Sequence, residues 1–199
     1  TITAYREIIA GLIKKYEGRV IDAPGDNILA EFSSALDAVN SAIEIQGKLE
    51  TENAKLPDNR RMEFRIGINL GDILHREDRI YGDGVNVAAR IESLADSGGI
   101  CVSRGVFDQV KNKVRQGFEY LGEHTVKNIT EPVRIYRVLL SPEYEGRIIG
   151  EPTSKSTIKK ASAVIIGLIL LISVASLWML YPRSETLEPA SVEKMAYPL

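Results

Sequence analysis

The feature that most constrains this chain is the run over residues 161–181, ASAVIIGLILLISVASLWMLY, 21 residues without a charged side chain. At about 1.5 Å of helical rise per residue it covers roughly 30 Å, the hydrocarbon thickness of a bilayer. Lipid offers no partner for backbone amides, so a spanning segment must satisfy itself, which a helix does. A helix this long and apolar on every side is rarely a core helix. Trp178 and Tyr181 stand at its end, where aromatic rings anchor to an interface. Its place near the C-terminus excludes a signal peptide. The expectation is a folded part over 1–140, a polar linker over 141–160, one transmembrane helix over 161–181 and a tail over 182–199. Lys155, Lys159 and Lys160 precede the helix, whereas only Arg183 lies close after it. Positive charge stays inside, so a cell-membrane protein with its folded part cytoplasmic and its tail outside is expected.

Composition narrows the chemistry of the folded part. The formal charge is −2 and the pI near 5.8, so no basic field gathers nucleic acid. Cys101 is the only cysteine, which excludes an intrachain disulfide. Within GGICVS it reads as a small buried hydrophobe. His75 and His124 are isolated and lack partners at metal-ligand spacing, and they offer no credible Ser-His-Asp set. Neither a GxxxxGK[ST] loop nor a GxGxxG turn opening a helix is present, which removes P-loop and dinucleotide folds.

Hydrophobic spacing orders the elements. Ile2, Tyr5, Ile9, Leu12 and Tyr16 recur at helical spacing, and Gly18 is placed to close that helix. GRVIDAPGDNILAEF reads as two strands around the turn Pro24-Gly25-Asp26-Asn27. Ser33 or Ser34 caps a long helix to about Leu49, with Leu36, Val39, Ala42, Ile43 and Leu49 inward. Phe64, Ile66, Ile68 and Leu70 alternate with other residues at the period of a strand. A loop, a helix, the strand GGICVS, a short helix after Ser103 and two strands near 118–121 and 133–140 complete the order. This is mixed α+β rather than the alternation of a doubly wound sheet. The chain opens inside its first helix, whose apolar face wants a sheet behind it. A preceding strand, in a longer protein, is therefore expected.

The stretch YGDGVNVAAR, residues 81–90, starts a helix after a glycine turn. Side chains four apart share a helix face, so Asn86, Arg90 and Ser93 form a polar stripe and Val87, Ala88, Ile91, Leu94 and Ala95 an apolar one. Read alone, the polar stripe is either a solvated face or a pair of ligand-holding side chains. Asp26 is similarly either a turn former or a metal ligand.

Five segments together go further. PGDNILAEF, EFRIGINLGDI, IYGDGVNVAARIE, GGICVS and VKNITEPVRIYRV, in this order and spacing, resemble the catalytic domain of bacterial class III nucleotide cyclases, the adenylate and guanylate cyclases, from about residue 1 to 140. The resemblance implies an α+β fold with a ferredoxin-like mixed sheet, helices on one face, and its first strand missing here. It implies attack of a ribose 3′-hydroxyl on the α-phosphate of ATP or GTP, with release of pyrophosphate. It also implies two Mg2+ or Mn2+ ions on two aspartates, of which Asp26 matches the second. Asn86 matches the asparagine that orients the ribose, Arg90 the arginine on the pentacoordinate phosphate, and Lys127 a lysine on the triphosphate. The family works as a head-to-tail homodimer whose shared sites take metal aspartates from one protomer and the Asn/Arg pair from the other.

Two departures accompany the match. The first metal aspartate belongs to the strand that is not in this sequence, so the chain as given is expected to be inactive alone. Adenine-preferring members carry a lysine and an aspartate where this sequence has Asp22 and Arg79, the same two charges exchanged. A carboxylate at residue 22 can accept from the N1–H and 2-amino edge of guanine, a tilt toward GTP; the pair can equally be a salt bridge at the dimer. A non-catalytic, cyclase-like dimerisation module of a membrane protein is the competing reading.

Overall fold

The computed structural model describes residues 2–72, 74–76, 79–126 and 131–151; the apolar run, the tail and Lys127 lie outside them. Among the described residues no helix is long and apolar enough to cross a membrane. The chain divides after Glu151.

The first unit begins with α1 (Ile2–Lys15), whose buried stripe is Tyr5, Ile9 and Ile13. Its end is a Schellman turn: Gly18 N–H donates to Ile13 O at 2.9 Å and Glu17 N–H to Lys14 O at 3.1 Å. The left-handed residue is Glu17, at φ 56°, and not Gly18. Gly18 is needed for another reason, since a Cβ there would lie 2.3 Å from the Phe32 ring. The hairpin of β1 (Arg19–Asp22) and β2 (Leu29–Glu31) follows, antiparallel, with a bulge between Val20 and Asp22. Ser34 then caps α2 (Ala35–Asn53), its Oγ accepting from the Asp37 N–H. The helix runs one turn past the expected end near Leu49 because its buried stripe continues to Leu49 and Asn53 is fastened, its Oδ1 accepting from the Tyr5 hydroxyl at 2.7 Å.

A five-stranded mixed sheet follows, built from β3 (Ile66–Ile68), β6 (Ile100–Ser103), β7 (Gly117–His124), β8 (Val133–Leu139) and β9 (Ile148–Ile149), in the order β3-β6-β8-β7-β9. Between β3 and its parallel neighbour β6 run the hairpin β4 (Leu74–Arg76) and β5 (Arg79–Tyr81), read from sequence as loop, and then α3 (Asp83–Glu92). After β6 comes α4 (Arg104–Val110). The β1–β2 hairpin forms a separate two-stranded sheet.

The expectation of helices on one face is overturned. Val39 and Ala42 of α2 and Val106, Phe107 and Val110 of α4 pack with Ile100, Val102, Tyr136 and Val138 on one face. Val87 and Ile91 of α3, with Ala95 just beyond it, pack with Cys101 and Ile135 on the other. β6 is buried at all four positions, and its unbroken apolar run Ile100-Cys101-Val102 is what a strand covered on both faces requires. Phe107 stacks on Tyr136 at 3.9 Å and meets Phe118 edge-on at 5.1 Å. α1 and α2 bury a third cluster that takes in Ile28, Ala30 and Phe32 around the hairpin as well as Phe64 and Ile66. Gln46 is buried within α2 and donates to Phe64 O at 2.8 Å and Gly99 O at 3.2 Å, tying helix to sheet.

The first half of the expected linker is also structured. Gly146 N–H donates to Arg115 O, and β9 pairs in parallel with β7 at Phe118 and Glu119. Glu151 accepts from Arg104 Nη1 at 2.7 Å and from the Tyr136 hydroxyl at 3.0 Å.

Candidate active site

The polar stripe is carried by α3. Gly82 turns into the helix at φ 146°, a value open to glycine, and gives no side-chain cap. Burial of Val87 and Ile91 fixes one face inward, which turns Asn86 and Arg90, one turn apart, to the exposed side. Neither side chain has a hydrogen-bond or ion-pair partner among the described residues.

Glycine lets this helix lie directly on β3. A Cβ on Gly67 would stand 2.3 Å from Glu92 N and 2.4 Å from Ala88 O, so any larger residue would lift the helix off the strand. At the other end Asn69 Nδ2 donates to Gly84 O at 3.1 Å. Gly71 backs onto Gly84 there, where a Cβ would come within 3.0 Å of Gly84 Cα. Asn69, Gly67 and Gly71 were not singled out from sequence. The signal was present in the glycines of IGINLGD, which mark a strand that another backbone approaches closely.

Asp22 and Asp26 belong to the hairpin. Asp22 ends β1, exposed, its Oδ1 accepting from Ala23 N–H at 2.8 Å. Asp26 stands exposed in the turn, where Asn27 N–H donates to Pro24 O at 3.1 Å and Gly25 takes φ 60°. The Arg6 guanidinium donates to Ala23 O, joining α1 to the hairpin. Arg79 opens β5, which packs against β1, so the strands bearing the exchanged charges are neighbours. Asn86 and Arg90 are thus brought onto one helix face. No hydrogen bond or ion pair among the described residues joins Asp26 to them.

A carboxylate such as Asp26 is a hard oxygen donor of the kind Mg2+ and Mn2+ take. Among the described residues, however, no three His, Cys, Asp or Glu side chains gather closely enough to hold an ion. These residues by themselves do not fit a two-ion site.

Cys101 is fully buried, and burial pushes its thiol up to about 11, which makes it inert at neutral pH. A cleft of about 540 Å3 lies beyond the ends of β3 and β6, lined by Asn69, Leu70, Ser103, Arg104 and Arg134 among others, and none of the expected site residues lines it. Its cations are compensated, Arg104 by Asp108 and Glu151, Arg134 by Glu123.

Residues 9–139 match the family described as adenylate and guanylate cyclase catalytic domain. The chain is 39% identical to putative adenylate cyclase 3 of Rhizobium meliloti over 165 residues, which are 81% of this chain and 28% of that protein. It therefore spans about a quarter of the length of that relative. Among solved structures it resembles an adenylate/guanylate cyclase/hydrolase from Silicibacter pomeroyi at 40% identity and a TM-score of 0.64, covering 67% of this chain and 79% of that one. It also resembles the adenylyl cyclase CyaB from P. aeruginosa at a TM-score of 0.60 and 23% identity, over 72% of this chain and 82% of that one, a likeness of fold. By its sequence match and its fold alike, the chain belongs to the class III adenylate and guanylate cyclase catalytic domains.

Proposed function

We propose that this domain converts a purine nucleoside triphosphate, ATP or GTP, to the 3′,5′-cyclic nucleotide and pyrophosphate. The observation that carries the reading is the rigid presentation of Asn86 and Arg90 on one exposed, unpartnered face of a helix seated on β3. In the reaction the 3′-oxygen forms a bond to the α-phosphorus and the bond to the bridging oxygen of the β-phosphate breaks. The hydroxyl proton leaves to solvent, and pyrophosphate takes the electron pair. Charge builds on the α-phosphoryl oxygens, and Arg90 meets it with a permanent, planar, forked cation. The Asn86 amide, able to donate and accept, holds the ribose so that attack is in line. Lys127 would lie against the triphosphate, and Asp22 and Arg79 against the base edge. The names of relatives lean toward adenine, the exchanged charges at residues 22 and 79 toward guanine.

Asp26 would be one oxygen donor to divalent metal in a site shared between two copies of the chain, and the described residues do not supply the rest of the ligand set. Its exposure, and that of Asn86 and Arg90, leaves both half-sites open to a partner. Residues 161–181 would hold the protein in the cell membrane. The exchanged pair also supports a second reading, a cyclase-like dimerisation module without catalysis.

The test is Arg90→Ala in the full-length protein. Turnover should fall on the order of 10²-fold or more, with kcat and kcat/KM falling together, as for loss of a contact made in the transition state. An unchanged kcat with a raised KM would remove Arg90 from the chemistry, and wild-type protein without cyclase activity would favour the second reading. Mixing Arg90→Ala with Asp26→Ala chains should recover part of the activity through heterodimers holding one intact site. Mixed dimers that form without recovery would count against the shared site.

A further inference from the structure

The helix that carries Asn86 and Arg90 has no side-chain cap at Gly82, and its first turn is closed by backbone alone, Val85 N–H donating to Gly82 O at 3.2 Å. Its position is fixed from outside. Asn69, just beyond the end of β3, donates its amide to Gly84 O at 3.1 Å, two residues before Asn86. Gly71 and Gly84 touch backbone to backbone beside that bond, where a Cβ on Gly84 would lie 3.3 Å from Asp72 O and 3.4 Å from Gly71. One turn further on, Gly67 seats the Ala88–Glu92 stretch on the strand. A sideways or axial slip of α3 must break the Asn69 bond, because the glycine contacts are smooth and resist compression but not sliding. Asn69 is itself half-buried and lines the neighbouring cleft.

From this geometry we propose that Asn69 is a positioning residue for the cyclase reaction. It pins the first turn of α3 through Gly84 so that Asn86 and Arg90 face the nucleotide in register. The inference rests on the reading of Asn86 and Arg90 given above.

Asn69→Asp in the full-length protein tests it. The substitution preserves shape but leaves an ionised carboxylate, which accepts only, opposite the Gly84 carbonyl. Loss of one hydrogen bond costs about 1 kcal/mol, partly offset by a negative charge beside a helix N-terminus, so the melting temperature should fall by only a few degrees and the fold should hold. A helix displaced by a fraction of a turn should lower kcat about 10-fold or more with KM little changed. Asn69→His places a ring N–H at the same number of bonds from Cα and should restore most of the loss. Because Asn69 acts through α3, adding Asn69→Asp to Arg90→Ala should cost less than the two losses multiplied.

Wild-type kcat in Asn69→Asp alongside a damaged Arg90→Ala would overturn the pin and leave the site standing. Full multiplication of the two losses would also overturn it. A harmless Arg90→Ala would remove the site and the pin with it. Should Asn69→Asp fail to fold, Asn69→His decides: near wild-type kcat supports the pin, and a folded variant with a 10-fold loss sinks it.

Discussion

At the scale of single residues, exposure separates the side chains that pack from those free to act. Cys101 and Ile91 are fully buried, whereas Asp22, Asp26, Asn86 and Arg90 stand exposed. Exposed polar residues without partners gain nothing for the fold, so their chemistry is available to a ligand. Asp22 and Arg79 raise a separate question, since β1 and β5 are neighbours and the two charges are those of adenine-preferring members exchanged. As a hypothesis, Asp22→Lys with Arg79→Asp in the full-length enzyme should shift preference from GTP toward ATP, by roughly 10-fold for an exchanged pair of hydrogen bonds to a base edge. Rates on the two nucleotides that keep their ratio would show that neither residue reads the base.

At the scale of elements, the sequence was legible where a period or a cap governs. The stripe of α1, the Ser34 cap, the ICVS strand and the division of α3 into polar and apolar faces could all be read from side chains alone. What could not be read depends on a partner distant in sequence. The β4–β5 hairpin has short strands of three residues each, too brief for alternation to register. The second helical face of the sheet follows from Gly67, whose meaning appears only when α3 lies on it. At the site, Asn86 and Arg90 were legible as a pair, while Asn69 was not, because its partner is a backbone carbonyl fifteen residues away. The α1 terminus gives a prediction of its own. Glu17 holds a left-handed φ of 56° that glycine adopts at less cost. Relief of a left-handed penalty of roughly 1–2 kcal/mol, less glycine's entropic cost of roughly 0.5–1 kcal/mol, means that Glu17→Gly should raise the denaturant midpoint; a lower midpoint would mean that Glu17 makes up the strain elsewhere.

At the scale of the whole molecule, the chain joins an α+β unit ending at Glu151 to an apolar run that starts ten residues later. We propose that the run is a membrane anchor with the cyclase domain on the cytoplasmic side, argued from Lys155, Lys159 and Lys160 ahead of it. A reporter fused after Leu199 should be active only outside the cytoplasm; activity only within it would reverse the orientation. The way the first unit ends has a further consequence. β9 lies along the free side of β7, short and bearing the exposed Ile148 and Ile149, and Glu151 is fastened to Arg104 and Tyr136. An uncovered strand edge is a template on which other chains aggregate. Residues 141–151 therefore form a selvedge over the Phe118–Glu119 end of that edge, and a cut at residue 140 should trade a shorter protein for a stickier one.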